Sequence, residues 1–380
     1  MAEKRGTLED LVNFKMIENS YDFPKTKFWK NKKVLITGHN GFKGSWLTLW
    51  LLSLGAIISG FSKENDNELD LFKELEISKN IENNIIDISN KEKLFEIIKS
   101  FKPDIIFHLA AQPLVRRSYK EPSLTWSTNV FGTINLLEGS RLLENKCVVI
   151  IVTSDKVYEN KKSIYGYKEN DKLGGHDPYS SSKAACEILT SSWRNSFCGT
   201  EIYQKNNLFI ATARAGNVIG GGDWAEDRII PDLIKASINN KPLNLRNPLA
   251  TRPWQHVLEP LSGYLCLAEN LFLSESKNLA SSFNFGPHIS SNKKVEELII
   301  ETQKYWPKDL TINYSESSLH EAYLLNLNID KAYHELNWSP RWQFNKSVEM
   351  TTNWYKLFFY EKVKAKELCI SDISKFCNIS

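Results

Sequence analysis

The chain lacks most of what would tie it to nucleic acid, a membrane or a metal. Its 48 Lys and Arg stand against 45 Asp and Glu, a net charge of +3 over 380 residues, so no one-sided field is present to gather nucleic acid or anionic lipid. No apolar stretch approaches the length of a membrane span, and Met1 to Asp22 holds no apolar run that would serve as a signal peptide. The six cysteines, Cys147, Cys186, Cys198, Cys266, Cys369 and Cys377, form no C-x-x-C pair and have no histidines at zinc-ligand spacing, which argues against a disulfide framework and a structural metal. Internal repeats and low-complexity tracts are also missing. What remains is a cytoplasmic protein with no metal, nucleic-acid or membrane partner, 42% hydrophobic and long enough for a sizeable core.

What is present is an alternation of strands and helices. Val34 to Ile36 is a short continuous apolar run of the kind a buried parallel strand shows; glycines follow, and then a helical stretch from Trp46 to Leu54. Further strand-like runs lie at Ala56 to Phe61, Ile105 to Leu109, Val148 to Val152 and Leu208 to Ala213, separated by helical segments at Lys91 to Ser100, Thr125 to Leu143 and Ser180 to Phe197. Repeated β-α alternation predicts an α/β fold, a Rossmann-type doubly wound parallel sheet, over 31–215. Residues 216–380 read as a smaller substrate-binding lobe, partly interleaved with the sheet domain and ending in a helical tail from Asn345 to Phe376. Residues 1–30 form a polar lead-in with aromatic punctuation (Phe14, Tyr21, Phe23, Phe28, Trp29) that is expected to pack on the domain surface.

Two motifs carry chemistry. Gly38, Gly41 and Gly44 stand at G-x-x-G-x-x-G spacing between a strand and a helix, where backbone must approach a pyrophosphate and helix-end amides face the anion. A plain tight turn would also use glycine; the strand before and the helix after favour a dinucleotide, with Asn40, Phe42 and Lys43 as its neighbours. No Asp or Glu ends the next strand, which runs into Ser62-Lys63-Glu64, so the sequence leaves the choice between NAD and NADP open. Asp87 is a candidate adenine-side contact or a turn cap, and the small residues Ala110 and Ala111, followed by Gln112, would let backbone lie against a flat ligand. His108 reads as packed.

Tyr179 and Lys183 lie one helical turn apart on one face. The ammonium favours phenolate, which suits Tyr179 to act as a base. Their position after the strand that ends near Thr153-Ser154-Asp155-Lys156 places them where ligands sit in such sheets.

The chain resembles the extended short-chain dehydrogenase/reductase superfamily, and within it the sugar-nucleotide 4,6-dehydratases. The resemblance rests on Thr37 to Ser45, His108 to Gln112, Asn129, Ser154-Asp155-Lys156, Tyr179 with Lys183, and Arg214 to Gly220. Gly-Gly-Gly-Asp-Trp at 220 to 224 and Arg-Pro-Trp-Gln-His-Val at 252 to 257 point to the branch that acts on CDP-hexoses, CDP-glucose above all.

The resemblance implies NAD as a recycled cofactor. Hydride leaves sugar C4 as Tyr179 takes the C4 hydroxyl proton, water is lost from C5 and C6, and hydride returns to C6. It also implies roles: Ser154 at the C4 oxygen, Lys183 on the cofactor ribose and on the Tyr179 pKa, Asp155 as acid for the C6 hydroxyl. Many dehydratases of this group carry Glu, taken as the C5 base, where this chain has Lys156, as the CDP-glucose branch does; Lys156 is then base, enolate stabiliser or plain surface lysine.

Arg252 and then Arg228 are the candidate pyrophosphate ligands, each with an ion pair as its alternative. Asn217, Trp254 and His256 complete the candidate substrate set. Trp224 is a further ring candidate, although tryptophans and His256 have packing as their default. Asn129 is expected to hold a group near the site, and the helices at Thr125 to Leu143 and after Tyr179 to form a homodimer, or homotetramer, interface. A nucleotide-sugar 4-epimerase, or a dehydratase of another nucleotide hexose, are the alternatives.

Overall fold

A computed structural model describes residues 24–65, 69–161, 163, 165–199, 204–205, 207–274, 277–314 and 325–378. Phe14, Tyr21 and Phe23 of the lead-in lie outside the described residues.

Seven parallel strands make the central sheet. In chain order they are β1 (Lys33–Thr37), β2 (Ile57–Ser62), β3 (Glu82–Ile85), β4 (Ile105–His108), β5 (Cys147–Val152), β6 (Leu208–Ala215) and, late in the chain, β11 (Ser282–Phe285). Their spatial order is β11-β6-β5-β4-β1-β2-β3. The order reverses between β1 and β4, which pair as Val34 with Ile105 through Thr37 with His108, and a ligand crevice opens beyond the carboxyl ends of strands at such a reversal. The remaining strands are short: β7 (Val218–Ile219) with β10 (Gln255–His256), β8 (Leu243–Leu245) with β13 (Ile312–Tyr314), and β9 (Thr251–Pro253) with β12 (Asn292–Lys294).

The apolar runs become central strands because both faces of the sheet are covered. Val34 and Ile36 point to one side and join Trp46, Trp50, Leu265 and Trp354 in one core, while Leu35 points to the other and joins Leu94, Leu136 and Ile151. Helices Phe42–Ser53, Leu258–Leu273, Phe344–Tyr360 and Ala365–Cys377 supply the first layer, and Lys91–Phe101, Gly132–Ser140 and Pro178–Phe197 the second. Trp46, Trp50 and Trp354 are almost wholly buried, a burial whose loss on truncation costs about 3–5 kcal/mol for a residue of that size.

Two expectations are corrected, and one strand appears that the sequence reading did not place. Trp29 does not lie on the surface: it is fully buried and stacks on Phe107 with ring centroids 6.2 Å apart. The polar sequence Glu-Asn-Asn-Ile forms β3, because an edge strand needs only one partner and little apolar cover. The segment from Thr125 to Leu143 is not one regular helix. It runs as helix to Trp126, makes a π-helical turn over Ser127–Phe131, and resumes as α-helix over Gly132–Ser140. Among the described residues no helix is long and apolar enough to cross a membrane.

Candidate active site

A cleft of about 1260 Å³ lies over the strand-order reversal and reaches from the glycine turn to β8 and Arg252. The turn is built by backbone. Gly38 has a φ of +75°, and a Cβ there would come within 2.6 Å of the Ala110 amide nitrogen; at Gly44 it would meet the Gly38 carbonyl oxygen at 2.0 Å. A side chain at Gly38 would force β1 away from the loop after β4, and one at Gly44 would push the helix off the turn at Gly38 and His39. At Gly41 a Cβ would meet only the Gly38 carbonyl, at 3.4 Å, so the space that glycine leaves there belongs to the cleft. Gly41 also begins the helix Phe42–Ser53, whose free amides face the cleft. The turn therefore fits a dinucleotide pyrophosphate. Asn40, Phe42, Lys43, Asp87, Ala110 and Ala111 line the same cleft.

On the far side of the reversal, β5 ends at Val152 and a 3-10 turn over Asp155–Val157 follows, capped by the Ser154 hydroxyl, which accepts from the Lys156 amide. Asp155 is 1% exposed. Its Oδ1 accepts from Ser154 Oγ at 3.0 Å and from Lys156 Nζ at 3.2 Å, while its Oδ2 is buried without a partner. A half-satisfied carboxylate of this kind is costly to bury. Asn217, between β6 and β7, also lines the cleft with a buried, unpartnered Oδ1.

Tyr179 and Lys183 come from the helix Pro178–Phe197, whose first turn is held by Asp177 accepting from the Ser180 amide at 2.9 Å. Lys183 Nζ donates to the Val152 carbonyl at 3.0 Å, and burial lowers its pKa against the pull of Cys186 and Glu187. Burial pushes the Tyr179 phenol up to about 12; the Ser154 hydrogen bond and Arg228 act downward, Asp155 and Asp177 upward. The expected drop in the Tyr179 pKa is thus outweighed by desolvation. The Lys43 amine is pushed down to about 7, by burial first and then by Arg228, with Lys183 and Lys156 adding to the effect and Asp155 opposing it.

Sequence reasoning missed the support beneath these groups. Glu187, two turns along from the start of the helix that carries Tyr179, is buried and saturated: it accepts from Thr153 at 2.5 Å, Thr212 at 2.7 Å, Ser282 at 3.1 Å and Arg214 at 2.8 Å. Arg214 also donates to the Tyr158 hydroxyl at 2.7 Å, which donates to Asn284 at 2.7 Å. This node ties β5, β6 and β11 to the loop that carries Asp155 and Lys156. Arg214 belongs to a motif, but its partner Glu187 carries no local signal. Asn129 occupies the π turn. Its side chain accepts from the Gln112 amide at 2.8 Å and donates to Ser182 Oγ at 2.8 Å, and its freed carbonyl accepts from Thr133 at 2.6 Å. The extra residue in the turn lets one asparagine clamp the loop after β4 to the Tyr179 helix.

Two expected ligand contacts are not brought to the cleft. Gln112 is buried and its amide is consumed by Leu114 and Thr125, so it shapes the loop and does not reach a cofactor. His256 is fully buried between Trp46 and Trp342, with ring centroids at 5.8 and 4.9 Å, because its position in β10 turns it toward the core; burial holds its imidazole down near 3. His108 is packed as expected, between Thr37 and Thr133. Arg228, Arg252, Trp224 and Trp254 do line the cleft. Arg228 pairs with Asp223 at 3.0 Å, Arg252 donates to the Thr251 carbonyl at 3.0 Å, and Trp254 donates to the Lys293 carbonyl at 2.9 Å. Trp224 packs among Trp354, Tyr355 and Phe359.

Comparison with known proteins agrees with this geometry. Residues 35–351 match the family model described as GDP-mannose 4,6 dehydratase. A CDP-glucose 4,6-dehydratase of Salmonella typhimurium is 44% identical over 330 residues, covering 87% of this chain and 92% of that protein. A CDP-paratose 2-epimerase of Salmonella typhi is 26% identical, covering 85% and 98%. Among solved structures, the dTDP-glucose 4,6-dehydratase of Bacillus anthracis in complex with NAD superposes with a TM-score of 0.70 at 21% identity, covering 87% of this chain and 99% of that one. The Thermus thermophilus UDP-glucose 4-epimerase complex with NAD gives 0.73 at 21%, covering 85% and 99%. With a parallel sheet reversed at a glycine turn and a family model spanning all of it but the ends, the chain belongs to the GDP-mannose 4,6 dehydratase family.

Proposed function

We propose that the protein removes water from CDP-glucose to give CDP-4-keto-6-deoxyglucose, with NAD bound on the glycine turn and regenerated in each cycle. The observation that carries this reading is the buried Ser154-Asp155-Lys156 turn facing Tyr179, in a chain 44% identical to a CDP-glucose 4,6-dehydratase. The dinucleotide, when bound, supplies the oxidant for the sugar C4 carbinol and restores the same reducing equivalents at C6.

The chain's own groups handle the protons. Tyr179 takes the C4 hydroxyl proton, and since its phenol sits at about 12 in the free protein, the Ser154 hydroxyl and Arg228 are the neighbours that help it to do so. Lys183, one turn further on the same helix, orients the cofactor ribose. Oxidation at C4 acidifies the C5 hydrogen; Lys156 hands a proton to Asp155 across their 3.2 Å contact and, as a neutral amine, accepts the C5 proton. Asp155 delivers a proton to the departing C6 hydroxyl from the oxygen that lacks a partner in the free protein. Arg252 and Arg228 hold the substrate pyrophosphate, and Asn217 and Trp254 the sugar and its surroundings.

Incubating purified protein with CDP-glucose and NAD and weighing the product tests this directly. A product lighter by one water, with no net NADH, is expected; an isomer of unchanged mass would make the protein an epimerase. We also propose a homodimer built on the helices around Trp126 and Tyr179, where Leu124, Trp126, Phe131 and Ile188 are exposed, and a cytoplasmic location, which suits six free thiols. Light scattering of the purified chain reads the first.

A further inference from the structure

β2 ends at Ser62, about 20 residues past the glycine turn, where the adenosine ribose of a bound dinucleotide reaches. An Asp or Glu at such a strand tip holds the ribose hydroxyls, and its charge repels a 2′-phosphate. No carboxylate stands there in this chain. Ser62 is 5% exposed, lines the cleft, and carries a hydroxyl with no partner. Lys63 lines the cleft beside it, and its amine forms no hydrogen bond or ion pair with any described residue. The Lys63 carbonyl accepts from Asn40 Nδ2 at 2.8 Å, which fixes the strand exit against the glycine turn. Of the acids lining this end of the cleft, Asp70 is buried and accepts from the Phe72 amide at 2.9 Å, and two others are engaged in a turn or lie past the strand tip. Asp87 accepts from the Ser89 amide at 2.8 Å in its own turn, and Glu64 is exposed two residues past the strand.

We propose that this subsite accepts the 2′-phosphorylated dinucleotide NADP as well as NAD, with the Ser62 hydroxyl and the Lys63 amine as ligands of the 2′-phosphate. The proposal rests on the dinucleotide reading above and extends it to cofactor choice. A hydroxyl can donate to a phosphate or pair with a ribose hydroxyl, so Ser62 serves both cofactors. The lysine adds a charge-assisted bond to the phosphate alone, and at an exposed position that bond weakens with salt.

Isothermal titration of the purified chain with NAD and with NADP, each at low and at high salt, tests the idea without turnover. NADP is expected to bind within about tenfold of NAD, a difference of no more than about 1.4 kcal/mol, and to lose more affinity than NAD as salt rises. Ser62→Asp should weaken NADP by about tenfold or more and leave NAD unchanged or tighter. Lys63→Met, at an exposed position that does not endanger folding, should weaken NADP only. NAD binding with NADP about 100-fold weaker, or a Lys63→Met variant with an unchanged ratio, overturns the proposal. If neither dinucleotide binds, the cofactor reading falls and the proposal with it.

Discussion

Two buried carboxylates, Glu187 and Asp155, sit on successive layers of the same site and differ in one respect. Glu187 has both oxygens occupied, by Arg214 and three hydroxyls. Asp155 has one oxygen occupied by Ser154 and Lys156 and the other bare. A saturated carboxylate has nothing left to give to a substrate and acts as a fastener; a half-satisfied one is held under electrostatic strain that a ligand relieves. The same division runs through the cations, since Arg214 is locked into the lower layer while Lys43 and Arg228 face the cleft.

The sharpest test of this division removes function from the upper layer. Tyr179→Phe should lower turnover by about 10²–10⁴-fold with the melting temperature unchanged, read by product mass and differential scanning calorimetry. Retained activity would remove Tyr179 from the chemistry. Asp155→Asn is expected to lose elimination to a similar extent while C4 oxidation persists, so that NADH and a 4-keto hexose accumulate in a single turnover. Its stability should stay level or rise, because a costly buried charge is gone.

Glu187→Gln should do the reverse: a loss of about 3–5 kcal/mol in stability, since Arg214 is left buried without its counter-charge, measured by urea unfolding. Burial raises the Glu187 carboxyl, but Arg214 and the hydroxyls Thr153 and Thr212 outweigh it, and the net shift is below its ordinary 4.5. Its stabilisation is therefore complete above about pH 4.5 and is lost as pH falls through the depressed value in the folded state. The wild-type protein should lose stability over that acid range, and the Gln variant should show a flatter profile there. The smallest effect belongs to Ser282→Ala, which removes one of four partners of Glu187 and should cost about 1 kcal/mol. If it instead alters turnover, the lower layer is not merely a fastener.

The upper layer was largely legible in the sequence and the lower was not. Gly38, Gly41 and Gly44, Ser154 to Lys156, and Tyr179 with Lys183 lie close together in the chain, so spacing on a turn or a helix face is enough to associate them. Glu187 meets Arg214, Thr212 and Ser282 only after three strands have paired, and nothing in the neighbourhood of Glu187 distinguishes it from a solvated helix residue. β3 was missed because its four residues carry one apolar side chain. His256 misled because a motif position fixes a residue's place in the chain and not the side toward which a short strand turns it. The π turn at Asn129 has no compositional mark at all.

The position of β11 sets the timing of completion. Ser282 and Asn284 supply ligands to a node whose other members, Tyr158, Glu187 and Arg214, precede them by about seventy residues or more. As the chain leaves the ribosome, six strands of the sheet emerge with the buried Arg214 and Glu187 cluster still open along the outer edge of β6. The nascent chain thus carries an unsealed polar seam until that last strand arrives, and a stall or a cut before residue 282 leaves a sheet in which Tyr158 and Glu187 lack the contacts of Asn284 and Ser282.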